Sequence, residues 1–145
     1  MNVAVGLGCD RGTPLATLQD ALRAALAQAG ALAPDVVAAA SITLKADEAG
    51  LLALAAKQGW AMTFFTPAQL AGVPVPNPSE TVRRYTGTPS VSEAAALLAG
   101  ARVFGHEQAL PMTALLVEKF KHRGADGRNA TVSIARCDRF LFPQP

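Results

Sequence analysis

The run Gly6-Leu7-Gly8-Cys9-Asp10-Arg11-Gly12-Thr13-Pro14 puts a thiol, a guanidinium and three glycines into nine residues, between the apolar segment Val3 to Leu7 and an alanine- and leucine-rich stretch. Glycine lets the backbone come close to a bound group, and the free N–H groups at a helix start, backed by the positive end of the macrodipole, attract carboxylate or phosphate. Gly8, Gly12 and Thr13 with Arg11 therefore read as an anion cradle. Cys9 at its mouth, activated as a thiolate, can attack a lactone or acyl carbonyl. No histidine lies near it in sequence to act as base, and packing of a small polarizable side chain is its plainer use. An ordinary strand-to-helix turn is the competing reading of the whole segment.

Nucleotide motifs do not fit. A dinucleotide fingerprint needs glycine where this chain has Arg11, and a phosphate-binding loop of the Walker type ends in Gly-Lys-Ser/Thr, where Gly12-Thr13 stands. A second cluster, Lys45, Asp47 and Glu48, follows the next strand-like segment. Glu48 can serve as a general base only with a pKa raised by burial, and Asp47 reads as a helix cap. His106 and His122 stand apart without metal-ligand spacing and take no role, so neither a metal nor a cofactor is expected.

Composition bounds what these residues can serve. Of 145 residues, 50% are hydrophobic and 17% charged, which supports one globular domain over 1–145 and excludes disorder. A net charge of +2 with scattered basic residues excludes a nucleic-acid footprint and suits a small or medium anionic ligand. No apolar stretch reaches spanning length and no basic signal region precedes the first strand, so a cytoplasmic protein without membrane partners is expected. Cys9 and Cys137 read as two reduced thiols.

Strand-like and helix-like patterns alternate along the chain, and they must position the candidates. Thr13 can cap a helix with Pro14 at its first position, running through Leu18, Leu22 and Leu26 to Gly30. Val36 to Leu44 reads as a buried strand, Asp47 caps a helix ending at Gly59, Ala61 to Phe65 is a short strand, and Thr66-Pro67 opens a brief helix to Ala71. Alternate prolines in Gly72 to Pro78 predict a stiff extended arm. Ser79 caps a short helix to Tyr85, and Ser90 with Glu93 has capping-box spacing before a helix that Gly100 stops. Arg102 to Phe104 reads as a weak strand. Thr113 to Val117 and Ala130 to Arg136 are strands joined by a polar hairpin tip, Glu118 to Asn129, and Phe140, Leu141 and Phe142 tack the tail onto the body.

This alternation predicts an α/β fold: a three-layer α/β/α sandwich with a mostly parallel sheet and a C-terminal antiparallel hairpin at one edge. In such sheets the ligand crevice lies outside the carboxyl ends of the strands, which gathers Gly8 to Thr13, Lys45 to Glu48 and Phe65-Thr66 on one side. The proline arm and the serine-capped helices can close over it.

A resemblance emerges from the motifs in order: Gly6-Leu7-Gly8-Cys9 with Arg11-Gly12-Thr13, Ser41 to Glu48, Pro74-Val75-Pro76-Asn77-Pro78-Ser79, Gly87 to Ala96, and Lys119-Phe120-Lys121. From Val3 to Arg136 the chain resembles the CobE/CbiG C-terminal-domain family of cobalamin biosynthesis, and looks like the free-standing CobE type. Glu118 departs from the pattern, standing where the family often has proline before Lys-x-Lys.

The resemblance implies a role in building the corrin ring, with other corrin-pathway enzymes as partners for hand-over. Full-length CbiG opens the ring-A lactone of a cobalt-precorrin intermediate and releases a two-carbon aldehyde, whereas the CobE type belongs to the aerobic route. The implied ligand is a precorrin-type tetrapyrrole, a flat macrocycle edged with carboxylates. Such a ring needs an apolar floor, helix-start N–H groups and several cations acting together. Arg11, Lys45, Lys119 and Lys121 are then the carboxylate partners, with Thr13, Asn77, Ser79, Ser90 and Ser92 as hydroxyl or amide donors. Three functions stay open: a precorrin-binding accessory protein, a hydrolase or lyase acting on a lactone or acyl group of such an intermediate through Cys9 or Glu48, and an unrelated anion-binding regulatory module.

Overall fold

The structure, a computed structural model, describes residues 1–138. Along β1 (Val3–Cys9), Val3, Val5 and Leu7 alternate with Ala4 and Gly6. The two-residue period of a strand therefore gives β1 one bulky face and one small face. β1 takes β2 (Val36–Ile42) in parallel on one side and β5 (Asn129–Arg136) antiparallel on the other. β3 (Thr63–Phe65) extends the parallel side and β4 (Leu115–Arg123) flanks β5, so the described sheet runs β3-β2-β1-β5-β4. The expected α/β architecture, parallel core and edge hairpin included, is the one observed.

Each face is covered according to its side chains. Val3, Val5 and Leu7, joined by Val132, Ile134 and Val117, meet Leu18, Leu22 and Leu26 of α1 (Leu15–Ala29) and Leu51 and Leu54 of α2 (Ala49–Gln58). Each leucine so buried contributes on the order of 2 kcal/mol. The small face, with Ala4, Ala40 and Ala135, receives α3 (Pro67–Ala71) through Leu70 and a long helix, Val91–Val103, whose residues from Val91 to Ala101 are all buried. Between those two lies α4 (Glu80–Thr86), which buries none of its residues, so the long helix is α5. Alanine-rich α5 has little apolar area per residue, and close approach of backbones replaces bulk there.

Several local expectations change. Thr66 and Ser79 cap as expected, accepting from the N–H groups of Gln69 and Val82, each at 3.2 Å. Thr13 does not cap α1. Its hydroxyl donates to the Asp10 carbonyl at 2.7 Å, and Pro14, in extended conformation, is the capping residue. Asp47 does not cap α2 either; Glu48 stands at that position without a side-chain capping bond. β2 ends at Ile42, because Thr43–Lys45 turns into a 3-10 helix, and β3 begins only at Thr63. The Ser90 and Glu93 capping box does not form, since Glu93 bonds elsewhere.

Gly100 does not stop α5, which continues to Val103 and replaces the expected strand at Arg102 to Phe104. A Cβ there would lie 2.7 Å from Leu110 and 3.1 Å from Cys137, so glycine serves close packing. β4 runs on to Arg123, and the turn is confined to 124–128. The expected contact of Phe140, Leu141 and Phe142 lies outside the described residues.

Candidate functional site

β1 and β2 end at the same edge of the sheet, and there the chain opens a cleft of about 580 Å³. Its floor comes from Gly8 and Cys9 at the end of β1, Ile42 at the end of β2, and Val91 and Ser92 in the first turn of α5. α4 forms one wall with Val82, Tyr85 and Thr86. The other wall is basic. Lys45 comes from the turn after β2, and Lys119 and Lys121 lie two apart on β4, so both face the cleft. Lys121 pairs in register with Thr131, which also lines the cleft.

The N-terminus of α5 opens onto this floor. First-turn N–H groups have no partner within a helix, so Val91 and Ser92 present backbone donors to an anion beside the three lysines. Asp10 is the acidic residue at the rim, and it is engaged: its carboxylate accepts from Asn129 N–H at 2.8 Å and from Asn129 Nδ2 at 3.1 Å.

The glycine loop does hold a carboxylate, but one of the chain's own. Glu48, 4% exposed, accepts from Gly12 N–H at 3.2 and 3.3 Å and from Arg11 Nη1 at 2.9 Å. Arg11 further donates to Asp47 at 2.8 Å and to the Leu44 carbonyl at 2.6 Å, and its own carbonyl accepts from Arg128 Nε. The Arg11 hydrogen bond holds Asp47 below the usual carboxylate range. Arg11 borders the cleft, and its Nη1 and Nη2 latch the β1 loop to the turn that leads into α2. Gly12, Asp47 and Glu48 belong to that latch, the Thr13 hydroxyl donates to the Asp10 and Asn129 carbonyls, and none of the four lines the cleft. Glu48 thus accepts within the fold, outside the residues that line the cleft.

Asn77 ties the proline arm down. Its backbone N–H and Nδ2 donate to buried Glu93 at 3.3 and 2.7 Å, Nδ2 also donates to Glu118 at 2.9 Å, and its carbonyl accepts from Lys119 Nζ at 3.0 Å. Glu118 is thus absorbed into the network that holds the arm. Ser79 and Ser92 line the cleft, whereas Asn77 sits just behind it. The hydroxyls of Ser92 and Ser133 meet at 2.9 Å. Ser90 is fully buried, its hydroxyl without a hydrogen-bond partner among the described residues, and it too lies outside the cleft lining.

Cys9 is placed in the cleft but not activated. Burial pushes its thiol up to about 11, outweighing the opposite pull of Lys45. Burial thus opposes the stabilised thiolate expected from the glycine loop and Arg11. Iodoacetamide should leave Cys9 unmodified at pH 7.5 and label it only as pH climbs toward 11; fast labelling at neutral pH, read by peptide mass, would contradict this environment.

Sequence reasoning found Gly8, Cys9, Arg11, Lys45, Ser79, Ser92, Lys119 and Lys121 among the residues around the cleft, and missed Ile42, Thr81, Val82, Tyr85, Thr86, Val91, Asn129 and Thr131 as candidates. Thr131 was out of reach, because Lys121, its partner in the hairpin register, reads as part of the polar turn. Among the described residues no cluster of His, Cys, Asp and Glu is arranged for a metal, and no helix is long and apolar enough to cross a membrane.

Comparison with known proteins gives a consistent set. Residues 3–135 match the family described as "Cobalamin synthesis G C-terminus". The chain is 41% identical over 96 residues to the cobalt-precorrin-5A hydrolase of Priestia megaterium, covering 66% of this chain and 26% of that protein. It is 36% identical over 102 residues to Protein CobE of Sinorhizobium sp, covering 69% of this chain and 66% of that one. The matched region thus spans about a quarter of the hydrolase and just under two thirds of Protein CobE. The crystal structure of CobE, described as a protein from the cobalamin (vitamin B12) biosynthetic pathway, superposes with a TM-score of 0.74 at 31% identity, over 92% of this chain and 93% of that one. The cobalamin biosynthesis protein chiG from Agrobacterium tumefaciens str. C58 gives a TM-score of 0.55 at 25% identity, over 90% and 96%.

Proposed function

Because the chain belongs to the CobE/CbiG C-terminal family of cobalamin biosynthesis, we propose that it binds an anionic precorrin-type tetrapyrrole in the cleft at the C-terminal edge of the sheet. The observation that carries this reading is the convergence of Lys45, Lys119 and Lys121 on a single cleft whose floor includes Ile42 and Val91. A ring edged with acetate and propionate groups offers several carboxylates at once, and its flat body suits an apolar floor. The N–H groups at the start of α5 supply further donors. The open cleft takes in part of such a ring and leaves its far edge in solvent, which suits passage of an intermediate to a following enzyme.

Holding, not hydrolysis, is the role these residues support. Burial raises the Cys9 thiol and Glu48 accepts from Arg11 and Gly12, which favours holding over attack on a lactone. Arg11 is assigned to the latch, and the lysines carry the carboxylate contacts.

An absorbance titration with hydrogenobyrinic acid, a metal-free corrin carboxylate, tests the reading. Wild type should shift the visible spectrum without forming a new product by mass analysis. Lys119→Ala with Lys121→Ala should weaken binding about ten-fold and flatten its salt dependence, since an exposed ion pair contributes up to about 1 kcal/mol. Lys57→Ala, on the exposed surface of α2 away from the cleft, controls for net charge and should change nothing. Equal affinity of the double variant and wild type would remove the proposed site.

A further inference from the structure

α4 is a short helix hung beside the cleft. The Ser79 N–H donates to the Pro89 carbonyl at 2.9 Å, so the segment leaves and rejoins the body at one clasp. Gly87, at φ 83, ends the helix in the left-handed region. Between these points no residue of α4 is buried; Val82 is partly buried against the core, while Tyr85 is 77% exposed. Tyr85 is the most exposed of the large hydrophobic side chains among the described residues, and it is the one tyrosine of the chain. It also lines the cleft, together with the three lysines of the basic wall.

An aromatic ring left in solvent on a cleft wall has its π-face available. Aromatic faces attract other flat conjugated systems by offset stacking, a contact that an aliphatic polyacid cannot make. Lysines alone would accept any carboxylate-bearing molecule of suitable size. We propose that Tyr85 is a specificity-determining residue: it stacks on the flat face of the ring while Lys45, Lys119 and Lys121 receive its acidic rim, selecting planar macrocyclic carboxylates over other polyanions. This inference rests on the binding reading above and adds the chemical class that the cleft prefers.

The test uses the full chain labelled at its single tyrosine and hydrogenobyrinic acid as probe. Bound protein should show intermolecular NOEs between the Tyr85 ring protons and the methyl groups of the probe. Tyr85→Ala should bind on the order of ten-fold more weakly, and Tyr85→Phe within about two-fold of wild type, since the ring face and not the hydroxyl makes the contact. Because Tyr85 is exposed, thermal melts of both variants should match wild type. Wild-type binding with no NOE to Tyr85 and unchanged affinity of Tyr85→Ala would overturn this inference and leave the cleft reading standing. Equal losses in the Ala and Phe variants would assign the contact to the hydroxyl and overturn stacking. No binding by wild type would overturn the cleft reading and this inference with it.

Discussion

Gly6→Ala should cost about 3 kcal/mol or more, above the usual range for a methyl group forced into a packed interior. A Cβ built on Gly6 falls 1.9 Å from the Ser92 carbonyl oxygen and 2.6 Å from the Ala96 nitrogen, both backbone atoms of α5. Backbone of a buried helix cannot rotate aside as a side chain can, so α5 must lift from β1 along its whole length. For a domain of this size the melting temperature should fall by roughly 10 °C. Gly100→Ala provides the internal comparison. Its nearest neighbour is the flexible end of Leu110 at 2.7 Å, with Cys137 and Ala4 at 3.1 and 3.4 Å, so the loss should be smaller. Because α5 also carries Val91 and Ser92 into the cleft, Gly6→Ala should lower ligand affinity at temperatures where the protein is still folded. Melts within 2 °C of each other for Gly6→Ala and wild type, on the order of half a kcal/mol, would show that the two elements do not lie as close as described.

The same glycines show what could be read in advance. Alternation in Val3 to Leu7 and the three- and four-residue steps of α1 are periodic signals, and periodic signals specify elements without knowledge of partners. The three parallel strands and the terminal hairpin were legible for that reason. Gly100 was not, because a helix stop and a close approach call for the same residue type, and only the position of Leu110 and Cys137 separates them. The length of β4 was hidden by its place at the sheet edge: Glu118, Lys119 and Lys121 read as a polar turn, although an edge strand with one solvated side carries such residues.

The candidate site was legible in its cations and not in its chemistry. Lys45 follows from the rule that loops at the carboxyl ends of parallel strands share one side, whereas Lys119 and Lys121, inside antiparallel β4, enter through the family resemblance. The glycine loop reads as a cradle for an anionic ligand, but the carboxylate it holds is Glu48, 36 residues away at the start of α2, a separation no local spacing can encode. Tyr85 gave no periodic signal because a seven-residue helix on the surface has too few turns to define a face.

Glu93→Ala should release the proline arm and, with it, the wall of the cleft. Glu93 is fully buried, and its carboxylate receives both the N–H and the Nδ2 of Asn77. The second hydrogen of Nδ2 goes to Glu118, and Lys119 holds the Asn77 carbonyl, so Asn77 joins the arm to Glu93 on α5 and to β4, two residues before the Ser79 cap of α4. Loss of the carboxylate should cost about 2 kcal/mol through the missing bonds and the space left behind. Stability alone does not decide the matter, because removing Glu93 also removes the cost of burying a charge. Amide exchange does: the N–H groups of Asn77 and Ser79 should exchange much faster in Glu93→Ala, and dissociation of a bound corrinoid should quicken. Glu93→Gln should fall between, since its amide can accept one bond from Asn77 but presents N–H to the other donor. Flipping Asn77 to compensate would turn its oxygen toward the Glu118 carboxylate. Unchanged exchange at both amides in Glu93→Ala would show that the arm is held without Glu93.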